Sequence, residues 1–301
     1  MSRVDLLERA SELRARRTPF VVATVVRAQR PTSAKPGDCA LLLPDGTIEG
    51  FVGGECSEST VRAQGLRQLA AGRSTLLRIT PPDAVGPPAE GIVTVGNPCL
   101  SGGSLDIFLE VMRPPMLVYV YGATPVARSL SEVGRAAGWE MRPVPGADAA
   151  VAPDTSAVVV ASQGSDEHRV LRAALRAGVP YVGLVASRRR GASVADALGL
   201  DSEQRERLHT PAGLDIGAHA PGEVAVSIVA EIIKAAAGAP APSGAPVMPE
   251  LPQATDPVCG MTVAVTAATA RLSREGTTVY FCCPGCRDAF AADPGRYTRT
   301  L

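Results

Sequence analysis

From Met116 onward, unbroken apolar runs alternate with amphipathic segments along the chain. Such runs are typical of strands buried on both faces, and helical segments between them indicate crossovers between parallel strands. The predicted elements are strands at 116–121, 140–144, 158–161 and 181–185 and helices at 124–138, 168–177 and 221–237. Residues 114–238 are therefore predicted to form a Rossmann-like parallel-sheet domain within an α/β protein.

The N-terminal third has a different pattern, in which short β-rich runs follow an amphipathic helix. The predicted elements are a helix at 4–16, a second helix that begins within residues 53–59 and ends near Gly72, and strands at 20–26, 39–43, 48–52, 75–79, 91–95 and 105–111. This order predicts an α+β domain over residues 1–113.

Four of the seven cysteines, Cys259, Cys282, Cys283 and Cys286, lie in the last 43 residues. A segment this small buries too little apolar surface to fold on hydrophobicity alone, so its thiols indicate a metal site or a disulfide. The spacing favours metal, because Cys282 and Cys286 can meet where a turn enters a helix and Cys259 arrives from a separate turn. A disulfide and inert structural thiols remain as alternatives, and Cys283 is a further candidate ligand.

Thiolates are soft donors, which suit zinc, copper(I) or an iron-sulfur centre better than magnesium or calcium. The small cysteine metal-binding domain is predicted over residues 255–301, behind a proline-rich linker at 239–254. If this linker is extended, the small domain can reach much of the main body.

Composition excludes several classes of function. Lysine plus arginine equals aspartate plus glutamate at 30 each, so no global basic field attracts nucleic acid or an anionic membrane. No apolar stretch approaches the ~20 residues of a membrane span. The charged N-terminus does not resemble a signal peptide, and we expect a cytoplasmic protein with reduced thiols.

The first βα turn departs from a dinucleotide-binding fingerprint. Thr124 stands where the second glycine would let the backbone approach a pyrophosphate, and Pro125 removes an amide donor. Nicotinamide binding is therefore disfavoured. No histidine is spaced with a carboxylate and a nucleophile as in a hydrolytic triad, so we assign no catalytic residue.

Two later loops carry better-equipped groups. Residues 186–191 place Ser187 and three arginines after a predicted strand, and residues 209–220 place Asp215 among glycines. Ligands of open α/β sheets bind beyond the carboxyl ends of the strands, where arginine forks match phosphate or a polyoxygenated pterin. A solvated helix start and simple helix capping are the alternatives.

Two N-terminal cysteines lie in glycine-rich turns. Cys56 follows the pair Gly53 and Gly54 at a predicted strand-to-helix junction, and Cys99 lies within residues 96–104. Thiols beside glycine are more accessible than an ordinary core cysteine. The glycine pair itself either exposes amides to an anion or forms a tight turn.

These segments together resemble the XdhC/CoxI family of maturation factors for molybdenum hydroxylases. The resemblance is carried by residues 30–37 (RPTSAKPG), 53–56 (GGEC), 99–103 (CLSGG), 187–190 (SRRR) and 213–218 (GLDIGA). The tail is similar to a YHS domain, a small cysteine metal-binding module, through residues 256–261 (DPVCGM) and 280–282 (YFC). Cys283 falls where that family often has serine.

The resemblance implies an accessory protein, rather than an enzyme, that binds the molybdenum cofactor and helps load it into a xanthine dehydrogenase or aerobic carbon monoxide dehydrogenase type apoenzyme. It implies a cleft between the two larger domains. The cofactor-binding candidates are Cys56, Cys99, Ser187, Arg188, Arg189, Gly213, Asp215 and Gly217. The candidate ligands of copper(I) or zinc are Cys259, Cys282, Cys286 and, less securely, Cys283.

A sulfurtransferase and a second copy of the chain, as a homodimer, are further expected partners. Two other functions remain open. In the first, the tail is a structural zinc module that recruits the target enzyme and delivers no metal or cofactor. In the second, the chain is a nicotinamide-dependent reductase that uses the parallel sheet.

Overall fold

The computed structural model describes residues 2–96, 103–144, 151–162, 164, 166–238, 252–274 and 277–297. Cys99 and most of the predicted linker lie outside these residues. The chain divides into two compact units, one made of residues 1–114 with 248–301 and the other of residues 115–247. The predicted α/β class is confirmed, with an α+β N-terminal part, a parallel sheet and a cysteine-rich C-terminal part, while the domain boundaries stay predictions.

The first unit is built around a six-stranded sheet. Its elements are α1 (Arg3–Ala15), β1 (Phe20–Gln29), β2 (Cys39–Leu42), β3 (Ile48–Gly50), α2 (Glu55–Ala71), β4 (Thr75–Thr80), β5 (Ile92–Gly96) and β6 (Ser104–Met112). The strand order is β3-β2-β1-β6-β4-β5, antiparallel except for the parallel pair β4 and β5. Helix α1 packs beside β2 through Leu6 and Leu13.

Helix α2 supplies the main apolar contact with this sheet. Its residues Val61 and Leu66 are buried in one cluster with Leu42 of β2 and Leu77 of β4. Gly65 makes this close packing feasible, because a Cβ atom there would stand 2.4 Å from the Leu42 side chain. The sheet therefore fixes the position of α2 and of the residues at its start.

The C-terminal segment forms a small fold of its own. Its elements are β12 (Gln253–Thr255), β13 (Thr262–Ala264), β14 (Ala270–Arg274), β15 (Thr277–Phe281) and α8 (Pro284–Ala292). Two antiparallel pairs, β12 with β13 and β14 with β15, hold the strands. Phe281 and Phe290 form the centre of its apolar core, with ring centroids 5.4 Å apart.

This segment is seated on the N-terminal part and does not stand away from it. Ala264 of β13 is buried in the same apolar cluster as Val61 of α2. Arg67 of α2 donates a hydrogen bond to Gln253 of β12 at 2.7 Å. The expectation of a tail that ranges over the main body is therefore replaced by a tail packed against α2.

The second unit is a doubly wound parallel sheet. Its elements are β7 (Leu117–Tyr121), α3 (Pro125–Ala136), β8 (Glu140–Val144), β9 (Ala157–Val160), α4 (Glu167–Arg176), β10 (Tyr181–Leu184), α5 (Arg188–Leu198), α6 (Ser202–Arg207), β11 (Leu208–His209) and α7 (Pro221–Gly238). The strand order is β11-β10-β9-β7-β8, and all described pairs are parallel.

Alternate residues of β7 face opposite layers of helices. Val118 and Val120 are buried with α3 and α7, whereas Tyr119 and Tyr121 are buried with α4 and α5. The chain reverses its winding between β7 and β9, and open α/β sheets bind ligands at this switch point, beyond the carboxyl ends of the strands. Among the helices of the described residues, none is both long and apolar enough to cross a membrane.

Candidate metal centre and cofactor loops

Three predicted metal ligands converge in the C-terminal segment. The Sγ atom of Cys282 lies 3.6 Å from the Sγ atoms of both Cys259 and Cys286. These sulfurs and a carboxylate oxygen of Asp256 all lie within 4.8 Å of one another. Three soft sulfurs and one oxygen form a donor set suited to a soft or borderline metal ion.

Local structure brings these residues together. Cys259 lies in a tight turn, in which the Asp256 amide donates to the Met261 carbonyl at 2.8 Å and Gly260 adopts a φ of 75°. Cys282 follows the end of β15, and Cys286 lies in the first turn of α8. A turn, a strand end and a helix start therefore each supply one thiol.

Asp256 holds the turn to the strand end. Its side chain is fully buried, Oδ1 accepts from the Val258 amide at 2.8 Å, and Oδ2 accepts from the Cys282 amide at 2.8 Å. Sequence reasoning assigned no role to this residue, although an acidic residue three positions before Cys259 was a usable signal. A carboxylate that satisfies two buried amides fixes the geometry of the thiols whether or not it binds the metal itself.

The thiols perturb one another strongly. The hydrogen bond from Cys282 lowers the pKa of the Cys259 thiol, so Cys259 carries negative charge most readily. The pKa of Cys282 is raised, first by its hydrogen bond to Cys259 and then by one to Cys56 and by burial. Burial and the neighbouring Cys259 charge raise the pKa of Cys286. A bound cation would replace the remaining protons, so metal binding must release protons.

Cys283 and Cys56 form the other side of the cluster. The side chain of Cys283 caps α8 by accepting a hydrogen bond from the Cys286 amide at 3.4 Å. Serine is a preferred helix N-cap, which explains why serine suits this position. Cys56, in the first turn of α2, has its sulfur within 4.8 Å of the sulfurs of Cys282 and Cys283. The structure thus places Cys56, a predicted cofactor residue, beside the predicted metal ligands.

The arginine loop and the glycine loop meet in the second unit. Ser187 caps α5 by accepting from the Arg190 amide at 3.3 Å. Arg188 donates to Asp215 at 2.7 Å, and both side chains are exposed, at 83% and 79%. Arg189 is exposed beside them. One of the predicted cofactor loops therefore presents two arginines at the carboxyl end of β10, and the other places the Asp215 carboxylate beside them.

The loop that carries Asp215 is held in place by hydrogen bonds to Glu231 of α7. Glu231 Oε2 accepts from the Gly213 amide at 2.7 Å and from the Tyr181 hydroxyl at 2.6 Å. The Tyr181 ring stacks on His209 at a centroid distance of 4.3 Å. Gly213 has a φ of 104°, and a Cβ atom there would meet Ser227 Oγ at 2.3 Å, so glycine is required. Sequence reasoning missed Glu231, because it lies 18 residues beyond Gly213 on a helix face.

Arg190 has a different role from its two neighbours. It pairs with Glu167, which is only 2% exposed and also accepts from the Ser162 hydroxyl and the Gly164 amide at 3.0 Å each. The pair ties α5 to the start of α4, and through Glu167 to the loop after β9. The run of three arginines therefore divides into two exposed cations and one structural ion-pair partner.

The first βα turn is closed by its own side chains. Thr124 donates from Oγ1 to the Ala161 carbonyl at 2.9 Å and caps α3. Gly122 has a φ of 107°, and a Cβ atom there would stand 2.4 Å from the Ala161 carbonyl oxygen. The threonine hydroxyl bridges the switch point between β7 and β9, as expected from a turn without the second glycine.

Fold and site together define an α/β protein in which a small thiol-rich module packs on an N-terminal α+β part, and a doubly wound domain lies between these two parts in the sequence. Family models identify these parts. Residues 13–80 match the XdhC and CoxI family, residues 118–232 match the XdhC Rossmann domain, and residues 254–300 match the YHS domain. The chain thus contains the domains of the XdhC and CoxI family followed by a YHS domain, and the predicted family is confirmed.

Two individual proteins are also similar. Uncharacterized protein YqeB of Escherichia coli (strain K12) is 26% identical over 267 residues, which cover 79% of this chain and 47% of YqeB. The chain thus spans about half the length of that curated relative. A crystal structure of a xanthine dehydrogenase from Bacillus halodurans matches with a TM-score of 0.38 and 16% identity, covering 78% of this chain and 96% of that one.

Proposed function

We propose that the chain is an accessory factor in active-site assembly of a molybdenum hydroxylase, and that it binds the molybdenum cofactor and a soft metal ion. The observation that carries this proposal is the presence, in one chain, of the XdhC and CoxI family domains and a converged cluster of thiols. Membership of this family supports a maturation role. The soft donor set supports handling of copper(I) or zinc.

The cofactor would lie at the carboxyl end of β10. Arg188 and Arg189 offer exposed guanidinium groups that match a phosphate, and the loop of Gly213 and Gly217 offers backbone next to them. The exposed Arg188–Asp215 pair contributes little stability, so an anion can replace the carboxylate at low cost. When bound, the cofactor supplies the dithiolene and metal chemistry, and these residues hold and orient it.

The soft metal would lie among Cys259, Cys282 and Cys286, with Asp256 as a bracing carboxylate. The site is preorganised for a cation, because the Cys282 sulfur lies 3.6 Å from each of the other two sulfurs and all three lie within 4.8 Å of one another. A copper(I) cargo would point to a carbon monoxide dehydrogenase type target, whose centre contains copper, and its absence to a xanthine dehydrogenase type target.

Anaerobic purification followed by metal analysis and pterin extraction tests the proposal. We expect the wild-type chain to carry pterin when it is produced in cells that make the cofactor. The double variant Arg188→Ala and Arg189→Ala should carry about tenfold less pterin or lower, as expected for the loss of two charge-assisted contacts. Arg172→Ala with Arg176→Ala is the matched control. These exposed arginines lie on α4, with Arg176 in its last turn, towards the amino edge of the sheet.

The same variants are then compared in cells that produce a molybdenum hydroxylase and lack this chain. Hydroxylase activity should return with the wild type and the control, and not with the Arg188 and Arg189 double variant. Wild-type chain free of pterin, or a double variant that restores full activity, would show that these loops are not the cofactor site.

A structural zinc module is the second candidate function. It is favoured by the four donors within 4.8 Å, which match the four-coordinate preference of zinc, and by the packing of the module on α2. Zinc that resists every chelator until the chain unfolds would support this function and exclude metal delivery. Saturable NADH binding would instead support a reductase, and the cytoplasmic location, sulfurtransferase partner and homodimer stay predictions.

A further inference from the structure

A second group of thiols spans two segments that are far apart in the sequence. Cys56 belongs to α2 of the N-terminal part, whereas Cys282 and Cys283 belong to the C-terminal segment, and the three sulfurs lie within 4.8 Å of one another. Cys282 also belongs to the group with Cys259 and Cys286. The two groups therefore share one sulfur.

We propose that Cys56, Cys282 and Cys283 form a second soft-metal site, which binds a copper(I)-class ion and shares the Cys282 thiolate with the site of Cys259 and Cys286. The N-terminal part would thus be a ligand donor to the module and not only its support. This inference deepens the proposed function, on which it rests, by assigning the module two ions.

The donor chemistry favours copper(I) over zinc at this second site. Among the residues that the structure describes, the group offers three sulfurs and neither imidazole nor carboxylate. Zinc almost always takes four protein ligands in a structural site, whereas thiolate ligands select copper(I) strongly. Cys56 and Cys283 are half-buried, so an ion can enter by exchange with a small thiol or chelator.

The backbone at Cys56 is held in place by the packing of α2. The Cys56 carbonyl accepts from the Thr60 hydroxyl at 3.0 Å within α2. Arg62 ties α2 to the turn between β2 and β3, where it donates to the Gly46 carbonyl at 2.8 Å, and Arg67 ties α2 to the module, where it donates to Gln253 at 2.7 Å. A site assembled on two packed elements is preorganised, which favours binding.

A shared thiolate fixes the number of thiols and of metal ions in the two sites. The two groups contain five thiols in total, Cys56, Cys259, Cys282, Cys283 and Cys286, with the Cys282 sulfur between them. If Cys282 bridges two ions, each ion has three sulfur neighbours. Removal of Cys56 should therefore cost one ion, while removal of Cys282 should disturb both.

Anaerobic titration of the reduced full chain with copper(I), against a chromogenic copper(I) chelator, tests the proposal. We expect two equivalents for the wild type and one for Cys56→Ser. We also expect one for Cys283→Ser, in which serine retains the cap of α8. Cys39→Ser is the matched control, because Cys39 of β2 belongs to neither thiol group and should leave two equivalents. X-ray absorption at the copper edge should show a short copper–copper vector in the wild type and none in Cys56→Ser.

A wild-type chain that binds one equivalent, or a Cys56→Ser chain that binds two, overturns the proposal. Circular dichroism of each variant checks the fold, and if Cys56→Ser does not fold, Cys283→Ser decides the outcome alone. Failure of the proposed function is measured separately, by hydroxylase activity in cells. A chain that binds two ions but does not restore the hydroxylase retains the second site and refutes the assembly role.

Discussion

At the scale of single residues, Asp256 shows how a buried charge can organise a site. A carboxylate with no exposed surface is costly unless its oxygens are satisfied, and here each oxygen accepts an amide hydrogen bond. Those amides belong to Val258, next to Cys259, and to Cys282 itself. The acid therefore sets the distance between two thiols that come from different parts of the segment.

Substitution Asp256→Ala should weaken metal binding without removing a thiol. It leaves two buried amides without an acceptor, at about 1–3 kcal/mol each, and outer-shell changes of this kind cost about 10–100-fold in metal affinity. Competition titration with a chelator measures the affinity. Asp288→Ala, an exposed acid of α8, is the control and should bind like the wild type. Equal affinities for the two variants would show that Asp256 does not organise the thiols.

Tyr181 leads to a prediction about alkaline pH. Burial, and then the hydrogen bond to Glu231, raises the pKa of this phenol above its ordinary value. The unfolded chain loses the proton above about pH 10 while the folded chain keeps it, so the unfolding free energy falls as pH rises above 10. The loss is up to about 1.4 kcal/mol per pH unit from this one group.

Tyr181→Phe should therefore flatten the fall in stability above pH 10 relative to the wild type. Urea unfolding at a series of pH values, followed by fluorescence of Trp139, measures it within the second unit, because Trp139 is the chain's single tryptophan. Parallel stability curves for wild type and variant would contradict the assignment.

At the scale of elements, α5 gives three consecutive arginines two different kinds of surroundings. Arg188 and Arg189 are exposed at its start, whereas Arg190 neutralises the buried carboxylate of Glu167. A helix places successive side chains about 100° apart, so neighbours in sequence face different surroundings. Two of the three arginines therefore lie on the exposed surface, and the third pairs with a buried carboxylate.

Arg190→Ala should destabilise the second unit by about 1–3 kcal/mol, because it leaves the buried Glu167 carboxylate without its cation. Arg189→Ala is the matched control and should change the unfolding free energy by less than about 0.5 kcal/mol. Urea unfolding monitored by Trp139 fluorescence compares them. Similar losses for both variants, or none for Arg190→Ala, would refute the division of roles.

At the scale of the whole molecule, the N-terminal part and the C-terminal module belong to one unit. The C-terminal module contributes Ala264 to the apolar cluster of α2 and contributes Cys282 and Cys283 to the thiol group that includes Cys56. The parallel sheet has separate apolar cores of its own. Changes in the module should therefore act on the N-terminal part.

Deletion of residues 252–301 should loosen α2 and leave the parallel sheet intact. It uncovers the face of α2 that packs on β13, so amides of α2 should exchange faster with deuterium, while amides of β7 and β9 should keep their protection. Hydrogen exchange with mass spectrometry measures both regions in one sample. Unchanged exchange in α2 would show that the module contributes nothing to the stability of that helix.

Periodicity and glycine positions act locally, so the sequence alone determined the class of fold and many of the elements, although the 11-residue helix α5 was not predicted. Predictions of this kind placed the strands from Phe20 and from Met116, the helix that ends near Gly72, and the meeting of Cys282 and Cys286 where a turn enters a helix. Short elements such as α6 and β11 were missed, since two to six residues carry too little periodicity.

Only the tertiary structure decided which distant groups meet. It placed Cys56 beside Cys282 and Cys283. It also placed the Asp256 carboxylate against the Cys282 amide and the Glu231 carboxylate against the Gly213 amide. These pairings depend on how α2 and α7 pack, and packing sums many small apolar contacts that no local pattern encodes. The sequence thus identified Cys259, Cys282, Cys283 and Cys286 as candidate ligands, and the packing of the module on α2 decided that Cys56 lies beside them.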